Sequence, residues 1–72
     1  MGKLWDTYNR VDETGYCQIH FDPKNEMFYI KYFDENNRMF FTEEFPNKSI
    51  HYVRDAAANW VAGIKKIDML YG

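Results

Sequence analysis

The chain has 72 residues, a net charge of −2 and an aromatic content of 19%. A length of this order makes one domain, residues 1–72, which buries only about 60% of the surface its unfolded chain exposes and so needs a dense core. Interspersed acids and bases exclude a broad electrostatic footprint for nucleic acid or anionic lipid, and no apolar stretch reaches the roughly 20 residues of a membrane span.

The N-terminal stretch Lys3–Val11 fits two patterns. Leu4, Tyr8 and Val11 have helical spacing, whereas Trp5, Thr7, Asn9 and Val11 alternate as in a strand. We take it as an edge strand, with a short helix as the alternative. Turn chemistry then divides the chain at Asp12-Glu13-Thr14-Gly15, Asp22-Pro23-Lys24-Asn25 and Asp34-Glu35-Asn36-Asn37. Between these turns, Tyr16–Phe21, Glu26–Phe33 and Arg38–Phe45 are short and rich in aromatic and β-branched residues. Such runs read as strands, and their short connections imply hairpins. Phe45 precedes Pro46, which holds it extended and ends the strand.

Beyond Pro46 the period changes. Ile50, Val53, Ala57, Trp60, Ile64 and Ile67 step by three and four, one apolar stripe on a helix. Ser49 is placed to cap its start, and Lys65 and Lys66 fall where cations suit its end. Gly63, costly in a helix interior by about 1 kcal/mol, is read as a contact too tight for a side chain. The expected fold is α+β: a small antiparallel β-meander of three or four strands packed on one C-terminal helix.

Register follows from the apolar pattern. Pairing Phe21 with Glu26 and Phe33 with Arg38 places Cys17, Ile19, Phe21, Phe28, Ile30, Tyr32, Met39, Phe41 and Phe45 on one face, under the helix; a one-residue slip scatters that set. Glu43 falls on the same face, opposite Phe28, and is expected at the sheet's end. The opposite face then carries Tyr16, Gln18, His20, Met27, Tyr29, Lys31, Phe33, Phe40, Thr42 and Glu44. Tyr16, Met27, Tyr29, Phe33 and Phe40 are too apolar to be left in water without a reason. Three explanations compete: the N-terminal segment folds across this face with Leu4, Trp5 and Tyr8; the face binds a protein partner or a second copy of the chain; or its rings stack the bases of single-stranded nucleic acid.

Catalytic and metal chemistry finds no foothold. Cys17 and His20 are three residues apart in a strand and point to opposite faces, so they form neither a nucleophile pair nor, with His51, a metal set. Glu43 and Glu44 diverge for the same reason. Gly2, Gly15, Gly63 and Gly72 are isolated and make no phosphate loop. We therefore expect no enzyme, no metal, no cofactor and no small-molecule substrate. The lone cysteine, and an N-terminus without a secretory apolar region, lead us to expect a cytoplasmic protein.

A meander followed by a helix resembles two nucleic-acid-binding folds. The double-stranded-RNA-binding domain adds a helix before the sheet and begins its last helix with lysines; here Asn47–Arg54 offers only Lys48 and Arg54. The AP2-type and integrase arm-binding domains resemble this chain in Phe40-Phe41-Thr42 and Ala56-Ala57, but read DNA with a basic sheet. In style the chain also resembles the small accessory or inhibitor proteins that viruses encode, without sharing a motif with them. The expected function is a protein-interaction module, with Tyr16, Met27, Tyr29, Phe33 and Phe40 as anchors and His20 and Lys31 as polar determinants. Nucleic-acid binding through the same face is the alternative.

Overall fold

A computed structural model describes residues 3–63. Four strands, β1 (Lys3–Asn9), β2 (Gly15–Asp22), β3 (Met27–Asp34) and β4 (Met39–Phe45), form one antiparallel sheet in the order β1-β2-β3-β4, followed by helix α1 (Ile50–Val61). Lys3–Asn9 is thus the edge strand, and the N-terminal helix required by the double-stranded-RNA-binding resemblance is replaced by a fourth strand. Among the described residues no helix is long and apolar enough to cross a membrane.

The turns are held by their own side chains. Asp12 Oδ1 accepts from the Thr14 hydroxyl at 2.6 Å, the Thr14 amide at 3.1 Å and Arg10 Nε at 3.2 Å. Led by the Thr14 hydroxyl bond, these hold the Asp12 carboxyl down at about 2. Asp22 accepts from Lys24 and Asn25, and Asp34 from the amides of Asn36 and Arg38. Glu13, Glu26 and Asn37 take the left-handed conformation that closes each turn. Gly15 is required for space, because a Cβ there would collide with the Phe33 carbonyl oxygen.

The register differs from the sequence expectation by two residues in both later hairpins. Phe21 pairs with Phe28, Ile19 with Ile30, and Cys17 with Tyr32; across the next turn Phe28 pairs with Phe45, Ile30 with Glu43 and Tyr32 with Phe41. Glu26 belongs to the turn rather than to the strand. A shift of two leaves every side chain on the same face, so the facial assignment of β2 and β3 survives.

Two bulges change the edges. On β1, Leu4 pairs with His20 and Asp6 with Ile19, leaving Trp5 extra. On β4, Phe41 pairs with Tyr32 and Met39 with Phe33, leaving Phe40 extra. An inserted residue re-aims the side chains around it. Trp5 turns to the helix side and packs on Phe21 and Phe28, with ring centroids 6.3 and 5.4 Å away. Phe40 turns the same way, 6.3 Å from both Tyr32 and Trp60.

The core lies between the sheet and α1. Cys17, Ile19, Ile30, Tyr32 and Phe45 meet Val53, Ala56, Ala57 and Trp60 of the helix, all of them buried. The Ala56-Ala57 pair lets the helix approach closely, and Trp60 meets Tyr32 edge-on at 4.9 Å. Arg10 lies over the indole, 4.6 Å from its centroid, while the Val11 amide donates to the Val61 carbonyl at 3.2 Å. Ser49 caps α1 by accepting from the Tyr52 amide at 3.4 Å. Gly63 ends the helix in the left-handed conformation with open space around it, so it is a C-terminal stop and not the close contact expected. Ile64, Lys65, Lys66 and Ile67 lie outside the described residues.

Glu43 is drawn in rather than left at the sheet's end. The Tyr32 hydroxyl donates to Glu43 Oε1 at 2.8 Å. Burial, and then the Glu43 bond and charge, push the Tyr32 phenol far up, so it remains a donor to this carboxylate at any physiological pH.

Candidate binding face

With α1 on one side, the other side of the sheet is open among the described residues. Its side chains fall into cross-strand rungs. Asn9, Tyr16, Phe33 and Met39 form the rung nearest the β1–β2 turn, Thr7, Gln18, Lys31 and Thr42 the middle one, and Leu4, His20, Tyr29 and Glu44 the next; Asp22 and Met27 close the far end.

The aromatics are ordered by one another. Tyr16 stacks on Phe33 at 4.6 Å with an interplanar angle of 8°. His20 stacks on Tyr29 at 5.2 Å and 13°. Stacked cross-strand pairs gain roughly 0.5–1.5 kcal/mol beyond area burial, and here the contact leaves all four rings only partly exposed. Lys31 Nζ lies 5.9 Å from the Tyr29 centroid. His20 Nε2 and Gln18 Oε1 lie 3.0 Å apart.

Of the expected site residues, Tyr16, His20, Met27, Tyr29, Lys31 and Phe33 are brought together on this face. Phe40 is not. The β4 bulge hands it to the helix side, where it packs against the core. Met39 replaces it. Expected under the helix, Met39 instead pairs with Phe33, is 53% exposed, and accepts from the Thr42 hydroxyl at 3.4 Å. Its signal in the sequence was the uninterrupted run Met39-Phe40-Phe41, which no strictly alternating strand can place on one face.

The N-terminal segment does not fold across this surface. β1 lies beside β2, Tyr8 packs against the core and Trp5 sits on the helix side. Of Leu4, Trp5 and Tyr8, Leu4 joins the open face, paired with His20 and 53% exposed.

Partial burial, and then the Lys31 charge, hold the His20 imidazole below its ordinary pKa. The unfolded chain takes up this proton more readily than the folded one, so the His20 contribution to stability is complete above the unfolded value and is lost as pH falls through the folded one. The wild type is expected to lose more denaturation free energy between pH 7.5 and pH 5 than His20→Gln. An NMR titration should place the His20 midpoint below the ordinary imidazole value.

Cys17 is buried on the helix side while His20 faces outward, the divergence expected of them. A polar recess of about 230 Å³ opens between the β1–β2 and β3–β4 turns, lined by Asn9, Arg10, Glu13, Gly15, Tyr16, Asp34, Glu35 and Asn37. Its one cation, Arg10, is engaged with Asp12 and Trp60. No protein-family model, curated protein or solved structure matches the chain.

Proposed function

We propose that this chain is a non-catalytic protein-interaction module that docks a protein partner on the outer face of its sheet. One observation carries the reading: two stacked aromatic pairs, Tyr16–Phe33 and His20–Tyr29, lie side by side with Met39 on a face that no other described element covers. Interface centres are enriched in Tyr, Phe and Met. Rings already locked by stacking lose little freedom when a partner arrives, which lowers the cost of binding. Tyr16, Met27, Tyr29, Phe33 and Met39 are the anchors, and His20 and Lys31 the polar determinants.

A cytoplasmic accessory or inhibitory role, of the kind small virus-encoded proteins have, is the setting we propose, with no catalysis, metal or cofactor. The Cys17 thiol, fully buried in the core, supports a packing role for the cysteine. The experiment is affinity for the partner before and after replacing Tyr29 and Phe33 together. A large loss with the fold intact supports the reading, and unchanged affinity removes it.

A further inference from the structure

Lys31 stands at the centre of the open face. It lies on β3 between Gln18 of β2 and Thr42 of β4. Tyr29 and Phe33 flank it two residues away on the same strand, each stacked on its β2 neighbour. Lys31 is only partly exposed, and it forms no ion pair among the described residues. Glu44 shares the face one rung away, opposite Tyr29 and exposed, but not within ion-pairing distance.

This arrangement constrains what can cover the face. An ammonium sealed beneath a partner without a counter-charge is heavily penalised. An apolar partner supplies none. A second copy of the chain is also a poor fit. A two-fold interface centred on this face brings the same patch against itself, so one Lys31 approaches the other. A polyanion such as single-stranded nucleic acid draws its affinity from several cations. Here Lys31 is accompanied by Glu44 and Asp22 on a chain of net charge −2. A single carboxylate between apolar side chains matches a single ammonium between aromatic pairs.

We propose that the partner is a protein segment that presents an Asp or Glu carboxylate to Lys31 and lays apolar side chains on the Tyr16–Phe33 and His20–Tyr29 pairs. This rests on the outer face being the docking surface. Lys31 is the charge anchor, and Glu44 is a local competitor that weakens it.

The test uses two small probes that differ in one charge, indole-3-propionate and its primary amide. Each is titrated into the isotopically labelled chain at pH 7.5 and followed by chemical-shift changes. The carboxylate is expected to shift Lys31, Gln18, Tyr29 and Phe33, and to bind about threefold to fivefold more tightly than the amide, the gain of one partly exposed ion pair. Lys31→Met should erase that preference, with Lys31→Gln as a second variant should the first fail to fold. Glu44→Gln should enlarge it. Equal binding of both probes on the outer face, or a preference that survives the Lys31 substitutions, overturns the carboxylate anchor and leaves the docking face standing. Failure of both probes to shift any outer-face residue counts against the docking face itself. Binding of an oligothymidylate more tightly than the carboxylate, with a steep loss on adding salt, overturns the proposal in favour of nucleic acid.

Discussion

Trp60→Ala is expected to remove a large share of the chain's stability at 25 °C. The indole is 4% exposed and meets Tyr32, Phe40 and the Arg10 guanidinium. It is therefore the point where α1, β3, the β4 bulge and the β1–β2 turn come together. Removing a buried Trp costs about 3–5 kcal/mol in lost transfer energy and residual cavity. Stability of about 0.05–0.15 kcal/mol per residue gives a chain of 72 residues about 4–11 kcal/mol, so the loss takes a large share of it. Urea denaturation followed by circular dichroism should show a midpoint far below that of the wild type. A cooperative transition near that of the wild type would mean that the helix does not seal the sheet through Trp60.

The double substitution Tyr29→Thr with Phe33→Thr is expected to reduce partner affinity by more than about 2 kcal/mol, the threshold of a true anchor, a loss of at least roughly thirtyfold. Threonine keeps the strand preference of the backbone while removing both rings from the open face. Neither position belongs to the buried core, and the stacking lost is about 0.5–1.5 kcal/mol for each pair, so the fold is expected to persist at reduced stability. Phe40 is unsuited to the same experiment. It packs against Trp60, and its loss would lower binding and stability together. Calorimetry with the partner, beside denaturation of the same samples, separates the two effects.

Much of this architecture was legible because its signals are local or periodic. The Ile50, Val53, Ala57, Trp60 stripe identified α1, and Ser49 its start. The alternation of Cys17, Ile19, Ile30 and Tyr32 identified the buried face, and all four are fully buried. Turn positions alone do not set register to better than two residues. Glu26, apparently part of a strand, is needed in the left-handed conformation to close its turn. That error was harmless because a shift of two preserves the pleat.

The bulges were not harmless. A period-two reading assumes that no residue is inserted, and the residue that breaks the assumption pairs with nothing. In Met39-Phe40-Phe41 strict alternation places Phe40 on the face opposite Met39 and Phe41. The structure instead sends Phe40 and Phe41 both to the helix side and Met39 outward. The reason is energetic. Turning Phe40 inward brings it against Trp60, while the more adaptable Met39 takes the exposed position. Both bulges lie in edge strands, where one neighbour is absent and the backbone can bend. They also blunt edges that would otherwise invite further strands. Gly63 is ambiguous in the sequence for a similar reason: glycine near the end of an apolar stripe fits a close contact and a helix stop equally well, and only the backbone dihedral decides.

The asymmetry of the sheet, sealed by α1 on one side and open on the other among the described residues, can be measured without any partner. A soluble paramagnetic cosolute added to the full chain enhances the relaxation of protons in proportion to their exposure. Met39 is predicted to be strongly affected, Tyr29, Phe33, Phe40 and Phe41 to an intermediate degree, and Tyr32 and Ile30 hardly at all. Protection of Tyr29 and Phe33 to the level of Tyr32, or strong enhancement at Phe40 with Met39 shielded, would contradict the account.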